Sequence, residues 1–245
     1  MSNMGQRAER RGQLPAGVRA AVSLRTGGVS AGRYASLNVG DHVGDDPELV
    51  RTNRDRLRAA LGLPAEPLWL EQVHGTDVAR FACEQRPRAD AAVALAPGQV
   101  CAVMVADCLP VLLADREGTC VAAAHAGWRG LAAGVIERTV EALHVNPSRL
   151  VAWLGPAIGP EAFEVGPEVR QAFLADDPQT TVDFRPGEGD RWLADIFTLA
   201  RRRLVRLGIR DVSGGGFCTV SEPARFFSYR RDGVTGRFAA LVWRE

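Results

Sequence analysis

The apolar positions of this chain fall into short runs of two periods, separated by glycine- and proline-rich breaks. Residues 18–26 alternate loosely and predict a strand. Residues 27–44 form a long polar stretch containing several glycines, and so long a loop inside a compact domain is usually functional or disordered. Pro47 then opens a helical period through Leu61, with Leu49, Val50, Asn53, Leu57 and Ala60 on one face. Short runs at 68–73 and 90–93 read as strands. In the middle, 101–107 and 109–115 are two apolar runs, Arg116-Glu117-Gly118 is a turn, and 119–125 returns as a strand. Ala132, Val135, Ile136, Thr139, Val140 and Leu143 make 131–143 an amphipathic helix. Residues 151–154 read as a strand, followed by the rigid loop Gly155-Pro156-Ala157-Ile158-Gly159-Pro160. Helices are expected at 167–174 and 194–207, and strands at 212–216, 226–229 and 238–243. No linker, repeat or low-complexity run divides the chain, so the expectation is one α/β domain of mixed α+β type over 15–245. The polar, Arg-rich residues 1–14 are expected to be a flexible tail.

Composition removes several function classes. A formal net charge of +1 gives no electrostatic preference for nucleic acid or an anionic membrane. The longest apolar stretch is interrupted by Asp107 and Pro110 and is too short to span a bilayer. Five cysteines without paired spacing do not form a disulfide framework, which fits a reducing cytoplasm. No lysine occurs anywhere, so Schiff-base chemistry and the Walker-type phosphate loop are excluded. Any bound anion must be met by arginine, backbone amides or a metal. No long exposed apolar stripe forces assembly, and a monomer is the default expectation.

The predicted hairpin carries the first chemical candidate. A turn centred on Arg116–Gly118 pairs positions whose numbers sum to about 233–235. Cys108 and His125 then lie opposite or one position apart at the open end, about 5 Å apart at Cβ. At that separation a thiolate and an imidazole can share a metal or form a nucleophile–base pair. Pro110 is expected to break the strand after Cys108. His125 is followed by Gly127 and a helix start, a common setting for active sites. His74, in Gln72-Val73-His74-Gly75, has the same strand-end context. A lone cysteine in an apolar strand is ordinarily just a small buried side chain, and a lone histidine a surface one. His42, His144, Cys83, Cys101, Cys120 and Cys218 are left in that class. Arg25, Asn38, Arg129, Arg230 and Arg231 sit beside glycine turns and strand ends, where an arginine is a candidate for phosphate or carboxylate binding.

A set of segments now stands in a characteristic order: Arg25-Thr26-Gly27-Gly28-Val29-Ser30, Tyr34-Ala35-Ser36-Leu37-Asn38, Gln72-Val73-His74-Gly75, Ala106-Asp107-Cys108-Leu109-Pro110, His125-Ala126-Gly127-Trp128-Arg129-Gly130, Gly155-Pro156-Ala157-Ile158-Gly159-Pro160 and Phe227-Ser228-Tyr229-Arg230-Arg231-Asp232-Gly233. In these the chain resembles the laccase-domain family, also called multicopper polyphenol oxidoreductase, purine nucleoside phosphorylase or peptidoglycan editing factor. The resemblance runs from Val18 to Trp243, with no departure at the metal positions. It implies two mixed β-sheets packed as a sandwich with outer helices. It also implies one metal held by His74, Cys108 and His125, which would be the catalytic residues. The implied activities are phosphorolysis of adenosine, inosine, guanosine and methylthioadenosine, and deamination of adenosine. Copper-dependent oxidation of phenols and removal of misincorporated serine from a cell-wall precursor are also implied.

Physical chemistry ranks these readings. A multicopper oxidase needs many histidines, and this chain has four. A His₂Cys set with a free fourth position suits catalytic zinc, with copper as the alternative. The expectation is therefore a zinc enzyme acting on a small-molecule nucleoside and phosphate. In that reading Arg25 and Arg129 neutralise phosphate, and Asn38, Gln72 and Tyr229 position the substrate. A metal-free cysteine amidase using Cys108 and His125, and a non-enzymatic module whose metal only ties strand ends, are the competing readings.

Overall fold

The continuous apolar runs become strands covered on both faces. A computed structural model describes residues 5–7, 14–81 and 86–245. Its strands are β1 (Gly5–Arg7), β2 (Val18–Ser23), β3 (Val78–Arg80), β4 (Ala91–Ala94), β5 (Val100–Val105), β6 (Leu109–Asp115), β7 (Val121–Ala126), β8 (Leu150–Leu154), β9 (Glu164–Val165), β10 (Phe184–Pro186), β11 (Trp192–Ala194), β12 (Asp211–Gly214) and β13 (Phe238–Arg244). The helices are α1 (Pro47–Leu61), α2 (Trp128–Ala133), α3 (Val135–Leu143), α4 (Pro167–Asp176), α5 (Ile196–Arg206) and α6 (Tyr229–Asp232). A four-stranded sheet, ordered β1-β2-β13-β5, is antiparallel throughout. A six-stranded sheet, ordered β12-β8-β6-β7-β4-β3, is mixed, being parallel only at β12/β8 and β3/β4. A small antiparallel sheet, β10-β11-β9, stands apart.

Each strand of the central pair of sheets divides its side chains between two cores. Val22, Val103, Val105, Ala240 and Val242 meet Leu112, Ala114, Val121 and Ala123 between the two sheets. Val111, Leu113, Ala122 and Ala124 point the other way, onto Leu131, Ile136, Val140, Leu199 and Leu204 of the helices. Ala21, Ala102, Met104 and Leu241 pack with Leu57 of α1 and with Trp69 on the far side. The expected sandwich with outer helices is present, within one mixed α/β unit; of its two large sheets only the six-stranded one mixes directions. No helix among the described residues is long and apolar enough to cross a membrane.

Local signals explain the helices. Asp46 caps α1 by accepting from the Glu48 amide at 2.8 Å, Pro47 takes the first turn, and Gly62 ends it at φ 61°. Asp195 caps α5 by accepting from the amides of Phe197 and Thr198.

Several expectations are corrected. The helix read over 131–143 is two helices, because Gly134 adopts φ 97° and ends α2. Residues 68–73 make only isolated bridges, Leu68 with Cys101 and Glu71 with Arg88. Residues 226–228 are not a strand: Phe226 and Phe227 are buried, and the Ser228 side chain accepts from the Arg231 amide to start α6. Pro110 sits inside β6, near the end of the β8 ladder, where its carbonyl accepts from the Gly155 amide. Within the expected tail, Gly5–Arg7 pair with β2 and Leu14 packs against the inter-sheet core; the rest of it, and Cys83, lie outside the described residues.

Candidate metal centre and its cavity

The hairpin register places Pro110, not Cys108, opposite His125. Cys108 lies in the bend between β5 and β6, directly after Asp107, which takes the left-handed φ of 95°. That bend carries the thiol back toward the sheet end, two positions beyond the predicted pairing. Asp107 is tied there by the Thr219 hydroxyl at 2.5 Å and the Arg230 amide at 2.7 Å.

His74 has φ 62°, and its conformation is held by Asp90. The buried Asp90 carboxylate accepts from three successive amides, Val73 at 3.1 Å, His74 at 2.9 Å and Gly75 at 2.6 Å. Its Oδ1 also lies 2.8 Å from Nδ1 of His125, on β7. This contact leaves Nε2 of His125 free to face a metal. Cys108 Sγ is 3.7 Å from His74 Nε2, and the two imidazole centroids are 4.8 Å apart. The ligand atoms of His74, Cys108 and His125 all lie within 4.8 Å of one another. Zinc bonds of about 2.0–2.3 Å in tetrahedral geometry require donors roughly 3.5 Å apart. The donor set fits such an ion, whose binding would draw the three ligand atoms closer than the 4.8 Å that bounds them here, and the paired Asp90 supplies the supporting contact that ligating histidines need.

Electrostatics fits the same role. Burial pushes the Cys108 thiol up, but the charges and hydrogen bonds of His125 and His74 outweigh it and bring the thiol to about 6. Burial disfavours protonation of His125, yet the Cys108 thiolate and Asp90 raise it to about 9. Burial also opposes ionisation of Asp90, and its hydrogen bonds from His125 and the amides win, holding it below the carboxylate norm. A thiolate is the metal-binding form of cysteine.

The three ligands open onto a cavity of about 440 Å³. Gln72, Arg129 and Tyr229, expected from the sequence to meet substrate, are in its lining. Both ends of the Gln72 amide bond the Met104 backbone, at 2.8 Å each. Arg129 stacks on Trp128, 4.5 Å from the ring centre. Arg25 and Asn38 are not among the lining residues. Arg25 donates to the carbonyls of Ala35 and Pro223 and stacks on Phe227. Asn38 is fully buried and accepts from the amides of Gly40 and Arg237. Sequence reading passed over Asp90, His42 and Arg237, and had Arg230 only as a general anion-binding candidate. A lone acid opening an otherwise buried strand was the available signal for Asp90. His42, left in the ordinary surface class, lines the cavity beside Asp41, which is held at about 2 by His42 and then, against burial, by Arg54 and Arg86.

The family described as multi-copper polyphenol oxidoreductase laccase matches residues 19–245. The chain belongs to this laccase family. Among relatives of this laccase-family chain, purine nucleoside phosphorylase YfiH of Escherichia coli K12 is 56% identical over 231 residues, covering 94% of this chain and 95% of the relative. Purine nucleoside phosphorylase PA4543 of Pseudomonas aeruginosa is 55% identical, covering 94% of each. The crystal structure of Neisseria meningitidis protein NMB0706 superposes with a TM-score of 0.94 at 48% identity, over 99% of this chain and 100% of that one. YlmD from Geobacillus stearothermophilus gives 0.89 at 32% identity over the whole of both chains. The laccase name sits uneasily on the donor set: among the described residues a single His/Cys cluster of metal-binding spacing is found.

Proposed function

We propose that this laccase-family protein is a zinc-dependent purine nucleoside phosphorylase that also deaminates adenosine. The observation that carries the proposal is the convergence of His74, Cys108 and His125 on one wall of a cavity with aromatic, apolar and arginine lining. The names of relatives above half identity support the same reaction class. When bound, zinc supplies Lewis-acid polarisation at its open coordination position. Asp90 orients His125 through Nδ1 and fixes His74 through the backbone. Trp128, Phe163 and Ile158 offer apolar surface to the base, while Tyr229 and Arg129 face the sugar and the phosphate. In phosphorolysis a phosphate oxygen bonds to C1′ as the C1′–N9 bond breaks, and the purine leaves with the electron pair and takes up a proton. Asn38 and Gln72 act indirectly, through the backbone they hold, and Arg25 by bracing the loop at Ala35. The free thiols Cys101, Cys108, Cys120 and Cys218 suit a reducing cytoplasm.

The test is metal analysis of the purified protein, paired with phosphate-dependent turnover of adenosine, inosine, guanosine and methylthioadenosine. One zinc per chain and activity lost in Cys108→Ala are expected. Zinc binding with no phosphate-dependent turnover of any nucleoside refutes the proposal.

A second reading has its own observation. Cys108, His125 and Asp90 form a thiol–imidazole–carboxylate series, the arrangement of a cysteine amidase. A metal-free protein whose Cys108 alkylates rapidly and which cleaves an aminoacyl amide, such as one in a cell-wall precursor, would establish that reading instead.

A further inference from the structure

The cavity beside the candidate metal centre is lined by Arg129, Arg230 and Arg237. Among the described residues, none of these makes an ion pair with a carboxylate. Their neighbours do: Arg54 and Arg86 share Asp41, and Arg231 is paired with Asp232. Asp107, the carboxylate in the lining, is already occupied by the Thr219 hydroxyl and the Arg230 amide. The wall therefore sets three guanidinium groups against the Asp107 carboxylate and the Cys108 thiolate, an excess of positive charge.

Arg237 is the most constrained of the three. It is half-buried, and burial holds its guanidinium below the ordinary arginine range. Nη1 donates to the carbonyls of Thr235 and Gly236 at 2.9 and 3.1 Å, leaving Nε and Nη2 without a protein acceptor among the described residues. Its backbone is pinned from two sides. The Arg237 amide donates to Asn38 Oδ1 at 2.8 Å, and its carbonyl accepts from the Val39 amide at 3.1 Å. A partly desolvated arginine with free donors and a fixed backbone is a prepared site for a planar or tetrahedral oxyanion. Arg129, fixed over Trp128, and Arg230, held to the Ala162 carbonyl, bring two more cations to the same space.

We infer that Arg237, assisted by Arg129 and Arg230, anchors a phosphoryl group in this cavity, and that the group is free inorganic phosphate. The identity of the anion as the second substrate rests on the phosphorylase reading; the presence of an oxyanion site does not. Asn38 then acts as a positioning residue, by holding Arg237.

The experiment uses zinc-loaded protein and inorganic phosphate, with Arg237→Gln, Arg237→Lys and Arg129→Gln. Phosphate affinity is read by calorimetry without nucleoside, and KM is read separately for phosphate and for inosine. Arg237→Gln is expected to weaken phosphate binding and raise the phosphate KM by about tenfold or more, with inosine KM and zinc content unchanged. Arg237→Lys should recover part of the loss, and Arg129→Gln, at an exposed position, should show a smaller rise of the same kind. Unchanged phosphate affinity in Arg237→Gln overturns the inference. If phosphate binding depends on Arg237 but no nucleoside turns over, the phosphorylase reading falls and the oxyanion site stands. If a nucleoside 5′-monophosphate binds far more tightly than phosphate and loses that advantage in Arg237→Gln, the assignment to free phosphate is overturned in favour of a substrate-borne phosphoryl group.

Discussion

Asp90 divides its two oxygens evenly: Oδ1 accepts from His74 N and faces His125 Nδ1, and Oδ2 accepts from the amides of Val73 and Gly75. An asparagine in its place must turn an NH₂ group toward one of these donor pairs, whichever way it flips. Asp90→Asn is therefore expected to cost about 1–3 kcal/mol of stability for each donor left unsatisfied. It should also weaken zinc binding by roughly 10–100-fold, as the loss of a supporting partner does at other metal sites. Competition with a chromogenic chelator and thermal unfolding measure the two effects, and an unaltered zinc affinity would show that Asp90 does not set the ligand geometry. Gly127 gives a steric counterpart. A Cβ there would lie 2.9 Å from both Cys108 Sγ and His74 Cδ2. Gly127→Ala should leave the circular dichroism of the fold intact while zinc stoichiometry falls well below that of the parent.

At the level of elements, Gly134 separates two readings of the same stretch. Inside a continuous helix, Gly→Ala stabilises by about 1 kcal/mol. At the observed φ of 97°, an alanine pays a left-handed penalty of about 1–2 kcal/mol instead. Gly134→Ala is therefore expected to lower the unfolding midpoint by about 2–8 °C, and a rise would mean that α2 and α3 are one helix. The apolar period could not show this break, because Leu131, Val135 and Ile136 keep a buried face on both sides of it. Elements with local punctuation were readable: Asp46, Pro47 and Gly62 bound α1, and the run at 109–115 became β6 with the same limits. Residues 226–229 alternate like a strand, yet Phe226 and Phe227 join the inter-sheet core and Ser228 spends its hydroxyl on capping α6. Which of those outcomes wins depends on whether a partner strand is within reach, and that is a property of the tertiary arrangement.

The whole molecule determines what the sequence could say of the site. Cys108 and His125 stood out in the sequence as a pair at the open end of the expected hairpin, and His74 joined them as a ligand through the family resemblance. Asp90 and Arg237 did not stand out, because their roles arise only when separate segments meet: Asp90 with 73–75 and β7, Arg237 with the loop at Asn38. The same convergence makes a global prediction. The candidate ligands come from the loop before β3, the bend between β5 and β6, and β7, so a bound zinc would join segments that are remote in the unfolded chain. An ion that binds only the folded state stabilises by about 2.7 kcal/mol at a hundredfold excess over its Kd. For a chain of 245 residues that amounts to a rise of about 5–10 °C in the unfolding midpoint. Calorimetric scans with zinc and with excess chelator should differ by this amount in the parent and by much less in Cys108→Ala. The thiol contributes a charged ligand, so His74 and His125 alone should not restore the difference. Equal midpoints for the parent in both conditions, with zinc shown to be bound, would mean that the metal does not fasten these segments together, and the proposed coordination by all three side chains would fail with it.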